Sequence, residues 1–418
     1  MFDLDNWLEI YETLRRNKLR TLLTAFGVFW GIFMLVLMLG SGRGLENGVD
    51  AGFANGATNS FFLWTRRTSM PYRGLPPGRN FDMQNGDLEA IHAKLPEARI
   101  VAPRNQLGGF GGGNNVTRGA KSGGFSVMGD TPDILAVQAV KILDGRFLNQ
   151  LDLEQRRKVA VIGTRVRDVL FEPGEEPVGQ SIEVQGVYFK VVGVFDSFQS
   201  GQRADRDVQT IYIPFTTFQA AFNYGDRIGW LAVVSKPGIP ASEVETRVRT
   251  LLSARHQVAP QDERAFGSFN LEEEYDKIQG LFTGIRLLVW IVGIGTLAAG
   301  VIGVGNILLI TVKERTKELG LRRAVGATPF DLVAQLLLEA TVLTSIAGYF
   351  GLVAGVALLE LADVAVSKAQ LTAFVNPGVR FDSALQALGI LVLSGLLAGL
   401  IPAQRAVTIS PVEALRAE

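Results

Sequence analysis

Residues 313–323 read K-E-R-T-K-E-L-G-L-R-R, a dense block of both charge signs. The chemistry open to this set is ion pairing and docking, because it holds donors and carboxylates but no nucleophile. Glu318 stands four residues before Arg322, the favourable order for a pair on one helix face. Leu319, Leu321, Ala324 and Val325 add apolar contact points that water alone does not require. Gly326 can take the left-handed conformation that stops a helix. Thr328 can cap the next one, with Pro329 at its first position and Asp331 at its third. The spacing predicts a short helix over 314–323, a sharp turn and a second helix directly after it.

Covalent and metal chemistry find little support. There is no cysteine, and His92 and His256 are the only histidines, too few for an ordinary zinc site. No G-x-x-x-x-G-K-[ST] or G-x-S-x-G occurs, so neither a nucleotide cradle nor an acyl-transfer serine is legible. The formal net charge of zero gives no general attraction to nucleic acid.

The elements that hold the charged block are apolar. A membrane helix needs about 20 apolar residues. Thr21–Gly42, Leu287–Ile310 and Ser383–Ile401 carry no charge, and Leu332–Leu359 carries only Glu339. The mean hydropathy of +0.22 is nevertheless too low for a bundle without an outside domain. The first run exceeds the roughly 7–15 residues of a signal-peptide core, which favours an uncleaved anchor. Arg15, Arg16, Lys18 and Arg20 precede it, Lys313, Arg315, Lys317, Arg322 and Arg323 fill the hairpin, and Arg405 and Arg416 lie in the tail. The loop 361–382 has only Lys368 and Arg380, so the first three segments are assigned to the cytoplasm.

The predicted fold class is four transmembrane helices with a large α+β domain inserted between helices 1 and 2. Residues 1–20 are expected as an amphipathic surface helix, 21–42 as span 1, 43–280 as the outside domain and 287–312 as span 2. The hairpin takes 313–331, span 3 takes 332–360, a short loop 361–382, span 4 383–401 and the cytoplasmic tail 402–418. Within the outside domain, 43–105 and 225–269 read as helix-and-sheet, 106–224 as a β-rich insertion and 270–286 as a stalk helix. Strands are expected at Arg99–Val101, Lys158–Ile162, Ser181–Val184, Phe189–Phe195, Thr210–Ile213 and Gln257–Ala259, and a helix at Asp87–Leu95. Ser242 and Glu245 suggest a capping box opening a helix to Arg255, and Asn270 a start for the stalk. The run G-G-F-G-G-G at 108–113 is too glycine-rich for a helix and reads as a loop tip.

Small residues recur four apart in the spans: Gly27/Gly31, Ala299/Gly303, Gly351/Gly355 and Gly395/Gly399. That spacing puts both on one helix face and lets backbones approach, within one chain or across a dimer. Glu339 and Glu360 are acids in or at the rim of span 3, where ionisable groups are costly. Asn306 is the one other polar candidate, which favours an ion pair of Glu339 with Arg322 or Arg323 over an ion relay.

The run E-R-T-K-E-L-G-L-R-R-A-V-G-A-T at 314–328, with Gln335 and Leu338-Glu339-Ala340 after it, resembles the signature of MacB/FtsX-type ABC transporter permeases. The tail P-A-Q-R-A-V-T-I-S-P-V-E-A-L-R at 402–416 resembles the ending of that family. Leu143–Phe147, Val159–Gly163, Gly179-Gln180 and Val191–Val194 look like its outer-domain blocks. The resemblance implies a periplasmic domain with a porter-like part and a β-rich inserted part, in a multi-pass protein of the bacterial inner membrane with both termini cytoplasmic. It implies a homodimeric or heterodimeric permease whose hairpin docks on an ATPase. Glu314, Arg315, Glu318, Gly320, Arg322, Arg323 and Gly326 would form that coupling segment. Only 20 residues precede the first span, so the ATPase, which would bind ATP and Mg, is expected as a separate subunit; no cofactor is expected in this chain. The expectation is an efflux permease without catalytic residues, in the lipid bilayer, with a periplasmic adaptor and an outer-membrane channel as companions. The alternatives are a mechanotransmission regulator of a periplasmic hydrolase and a lipoprotein-releasing permease.

Overall fold

A computed structural model of the chain describes residues 18–53, 56–108, 113–199, 201–368, 374–378 and 381–408. The surface helix expected at 1–20, except its last three residues, lies outside them, as do positions 109–112 of the glycine run and the tail beyond 408. The chain divides into two compact units, Asp50–Gln279 and a second formed by the residues up to Val49 with those from Gly280 onward.

The Asp50–Gln279 unit is built on strands β1 (Ser60–Thr65), β2 (Met83–Gln84), β3 (Ala98–Gln106), β4 (Asn114–Arg118), β5 (Lys121–Asp130), β6 (Val140–Gly145) and β7 (Val159–Gly163). They are followed by β8 (Ser181–Val184), β9 (Val187–Ser197), β10 (Thr210–Pro214), β11 (Arg227–Ile228), β12 (Trp230–Ser235) and β13 (Phe266–Asn270). Strands β7 to β10 form where the β-branched and alternating runs place them: β7 and β10 are buried on both sides, while β8 and the start of β9 bury alternate residues.

Six of these strands close on themselves. β5 pairs with β10, β10 with β7, β7 with β9, β9 with β8, β8 with β4, and β4 returns to β5. Closure leaves the ring without an unpaired edge. Val116, Val127, Ile162, Ile182, Phe189 and Ile211 fill one core. The alternate residues Val161, Phe195 and Tyr212 fill another. β6 lies along β9, with Gly145 opposite Gly193. A Cβ on either glycine would overlap the other strand's backbone, and Gly145 has φ +69°. The two sequence blocks that carry these glycines therefore meet by close backbone approach.

The remaining main strands run β3-β12-β1-β13, all antiparallel. β3 joins the two parts: it pairs with β12 through Arg104, then with β5 at Asn105 and Gln106. One face of this sheet buries Phe61, Leu63, Leu231 and Val233 against Ile91, Val244, Val248 and Leu252. Those last four come from two helices. Ile91 lies on Asn85–Lys94, opened by a capping box of Gln84 and Asp87. The others lie on Ala241–Arg255.

Two local expectations fail. The helix at Ala241 starts after Pro240, so Ser242 lies inside its first turn and does not cap it. The Ala241 N–H donates instead to the Glu272 carboxylate, an acceptor remote in sequence. Gln257–Ala259 is not a strand, because Gln257 takes φ +51°, which breaks an extended run. Asn270 does cap the following helix, accepting from the Glu272 and Glu273 amides at 3.1 and 3.2 Å.

Among the described residues, four long helices and one short charged one make up the rest of the chain: α1 (Lys18–Phe53), α2 (Leu271–Glu314), α3 (Thr316–Ala324), α4 (Pro329–Lys368) and α5 (Phe381–Thr408). Among the described residues, α1, α2 and α4 contain stretches long and apolar enough to cross a membrane, and α5 holds a shorter apolar stretch, Val392–Ala406. The helices overrun the predicted spans. α1 continues past Gly42, α4 continues through Glu360 into the expected loop, and α2 unites stalk and span. No proline interrupts any of these extensions, so the i to i−4 ladder simply continues. α5 runs on through Pro402. Its missing N–H frees the Ala398 carbonyl, which points at Gly305 of α2 where no side chain stands in the way.

Candidate functional site

The charged segment is a separate helix set between two long ones. α2 ends at Glu314 and α3 begins at Thr316, two residues later than expected. The Thr316 hydroxyl donates to the carbonyls of Val312 and Lys313 at 3.1 and 2.8 Å, satisfying acceptors that the break exposes. At the other end Gly326 has φ +113°, and the Ala327 N–H reaches the Arg322 carbonyl at 3.0 Å. Thr328 and Asp331 then cap α4 reciprocally: the Asp331 carboxylate accepts from the Thr328 amide and hydroxyl at 3.0 and 2.6 Å, and the Thr328 hydroxyl accepts from the Asp331 amide at 3.3 Å.

Glu318 is the hub of the block. It accepts from Arg315 at 3.0 Å and from Arg322 at 3.1 Å. Arg322 also donates to Gln335 on α4 at 3.1 Å, tying α3 to the helix that follows. Leu319 and Gly320 are buried. Leu319 shares a core with Val312, Leu332, Leu336, Ala403 and Ala406. The hairpin signature and the tail signature, far apart in sequence, thus close one apolar core.

The seven sequence-predicted residues divide accordingly. Arg315, Glu318 and Arg322 are braced against each other, Gly320 is buried, and Gly326 forms the turn. Arg323 is half-buried and Glu314 is exposed. The hairpin also exposes apolar side chains beside Lys313 and Lys317: Val325 is 82% exposed, Phe330 66% and Leu321 56%. Phe330 was not singled out from sequence, although a phenylalanine next to an N-terminal helix proline on a charged hairpin is a usable signal. Glu339 is buried on α4, one turn beyond Gln335, whereas Glu360 is exposed.

The glycines set how closely the long helices pack, and they act inside one chain. Gly27 of α1 faces Gly300 of α2, and Gly31 faces Leu297. Gly351 and Gly355 of α4 lie against the α1 backbone at Phe29 and Phe33, beside Ile32 and Val36. Gly395 and Gly399 of α5 meet α4 at Thr341, Thr344, Leu337 and Ala340. Gly303 faces open space, so on α2 the contact belongs to Gly300 rather than to the Ala299/Gly303 pair.

In the Asp50–Gln279 unit two buried carboxylates, Asp87 and Asp152, are held by hydrogen bonds from within the unit. Burial pushes the Asp87 carboxyl up, but hydrogen bonds from His256, Arg255 and the Gln84 amide outweigh it and hold it below the ordinary carboxylate range. Asp152 behaves in the same way: burial is outweighed by Arg146 and the Asn149 amide.

The profile of the MacB-like periplasmic core domain matches residues 21–251, and that of the FtsX-like permease C-terminal region matches 290–411. The pyoverdine export ATP-binding/permease protein PvdT of Pseudomonas putida is 32% identical over 96% of this chain and 58% of its own length. The macrolide export ATP-binding/permease protein MacB of Rhodospirillum rubrum is 32% identical over 97% of this chain and 59% of its own length. The solved periplasmic region of MacB from Actinobacillus actinomycetemcomitans is 19% identical, with a TM-score of 0.42, over 54% of this chain and 95% of that one. The chain spans somewhat more than half the length of these curated relatives. It belongs to the family of the MacB-like periplasmic core domain, joined here to an FtsX-like permease C-terminal region.

Proposed function

We propose that this chain is the permease component of an ABC-type exporter in the bacterial inner membrane, with four spans, cytoplasmic termini and the Asp50–Gln279 unit in the periplasm. α3 is the docking element for an ATPase subunit that binds ATP and Mg, and the permease works as a dimer. The observation that carries this reading is the geometry of the hairpin: Leu319 roots α3 in the core, while Leu321 of α3, Val325 just after it and Phe330 at the start of α4 are exposed. Exposed apolar side chains on a charged hairpin suit a protein partner. ATP-driven movement of α3 passes to α2, one unbroken helix from Leu271 to Glu314, and so to the periplasmic unit. The names of the relatives, which join ATP-binding and permease, support the energy source, and the pyoverdine or macrolide export in those names supports efflux; an adaptor and an outer-membrane channel complete the proposed route.

The test is co-purification and ATPase assay with the candidate ATPase in nanodiscs. Val325→Asp and Leu321→Asp should leave insertion intact but abolish both capture of the ATPase and its stimulation. Normal capture by both variants would remove the docking role.

A further inference from the structure

The sheet β3-β12-β1-β13 has a second face, opposite its helix-covered one, and that face carries an aromatic cavity unconnected with coupling. Register builds it. Gly267, Trp64, Trp230 and Arg104 form one row across the four strands, because Trp64 opposes both Gly267 and Trp230, and Trp230 opposes Arg104. Phe62 opposes Phe269 in the neighbouring row. Of these, Phe62, Trp64, Trp230, Phe269 and Arg104 line a cavity of about 880 Å³ together with Arg66, Tyr224 and the polar edge of β3. A volume within roughly 300–1,000 Å³ suits a single small molecule rather than a flat protein partner.

The cavity is prepared for an apolar, flat ligand. Trp64 is held in place because Gly267 has no side chain beneath its indole; a Cβ there would overlap the ring. Arg66 and Arg104 stand over Trp64 and Trp230, each 5.8 Å from the ring centre. The polar groups of the lining are occupied: Arg104 by Asp130, Asn105 by the Arg227 carbonyl and the Gly229 amide, and Gln106 by Ser126. They ask for no further hydrogen bonds, so recognition falls to the rings. The charge that is left is Arg66, exposed at the rim and, among the described residues, without a carboxylate partner.

We propose that this cavity binds a small amphipathic anion whose planar, apolar body lies against the Trp64, Trp230, Phe62 and Phe269 side chains and whose acidic group meets Arg66. Phe62 and Phe269 wall its apolar side. The inference rests on the cavity alone and holds whether or not α3 docks an ATPase, so the docking variants above should leave ligand binding unchanged.

The experiment uses the full chain in nanodiscs, with empty nanodiscs subtracted, and 1-anilinonaphthalene-8-sulfonate, an anion on a planar naphthalene core, as probe in a calorimetric titration. Saturable binding at one probe per chain is expected. Arg66→Glu should weaken it about tenfold, while Arg66→Lys should stay within about threefold. Trp64→Ala should also weaken it about tenfold, with Trp64→Phe intermediate. The uncharged N-phenyl-1-naphthylamine should bind more weakly and be insensitive to Arg66→Glu. Equal affinity across Arg66→Glu and Trp64→Ala would overturn the proposal. So would efficient disulfide cross-linking of Phe269→Cys between two copies with the probe unable to compete, since the face would then be covered by a second chain. The chain has no native cysteine to confuse that readout.

Discussion

Arg104 and Asp130 form a two-pronged ion pair, 2.7 and 2.9 Å, with both side chains almost wholly out of solvent. The pair sits where β3 leaves β12 and takes up β5, at the seam between the four-stranded sheet and the closed six-stranded ring. Burial pushes the Asp130 carboxyl up, and the guanidinium opposes that. Gln138 joins the pair at 3.2 Å and passes on to Asp207, which also accepts from Ser197. A buried pair of this kind adds little net stability, because desolvation offsets the attraction between its charges.

Removing one partner should therefore cost far more than removing both. Asp130→Ala is expected to destabilise the Asp50–Gln279 unit by about 3–5 kcal/mol, because it strands a buried guanidinium. Arg104→Met with Asp130→Leu should recover most of that loss. Thermal unfolding of the purified chain and its variants measures both, and equal losses in the single and double variants would contradict the account.

Acid should weaken the same unit through Asp87. Its carboxylate is held below its ordinary pKa by His256, Arg255 and the Gln84 amide, against the effect of burial. A depressed folded-state value means the contribution is complete above about pH 4 and fades as pH falls through the lower folded value. Asp87→Asn should flatten the acid limb of a stability-against-pH profile below about pH 4 and lower stability at neutral pH.

Helix packing offers a paired control. A Cβ on Gly351 would fall 2.6 Å from the Phe29 carbonyl oxygen, and one on Gly355 would press on Val36. Gly351→Leu is expected to cost about 1–3 kcal/mol or to reduce the amount of folded protein recovered from membranes. Gly303→Ala meets nothing and should be neutral or slightly stabilising. Size-exclusion profiles and thermal midpoints in detergent distinguish the two.

Within the charged segment, bracing and docking can be separated. Glu318→Ala removes two intrahelical pairs of about 0.3–0.5 kcal/mol each, so a small stability loss is expected. Glu314→Ala with Arg322→Ala should leave the protein inserted yet lower the ATPase-coupled activity. ATPase rate and proteolytic resistance, read in parallel, decide whether the second variant is uncoupled or merely unfolded.

The α4 cap chemistry is testable by itself. Thr328→Ala deletes one half of the reciprocal box with Asp331 and should cost about 0.5–2 kcal/mol. Hydrogen exchange at the first turn of α4 should rise while that at Leu336 stays protected.

Much of this protein is written in one-dimensional patterns. Long apolar runs, the apolar run within Lys158–Ile162, the alternation of Ser181–Val184, the Asn270 cap and the Thr328–Asp331 box depend on residues within a few positions of each other, so sequence alone determined them. Pairings between distant residues it could not determine. The ring closes only because β5 meets β10, and Leu319 finds Ala403 and Ala406 only once α5 returns to α3. Helix ends also escaped, since Glu272 serves the first turn at Ala241 from another element. The aromatic cavity escaped for the same reason: Trp64, Trp230 and Phe269 share a face through strand register, and register is a property of the assembled sheet rather than of any single strand.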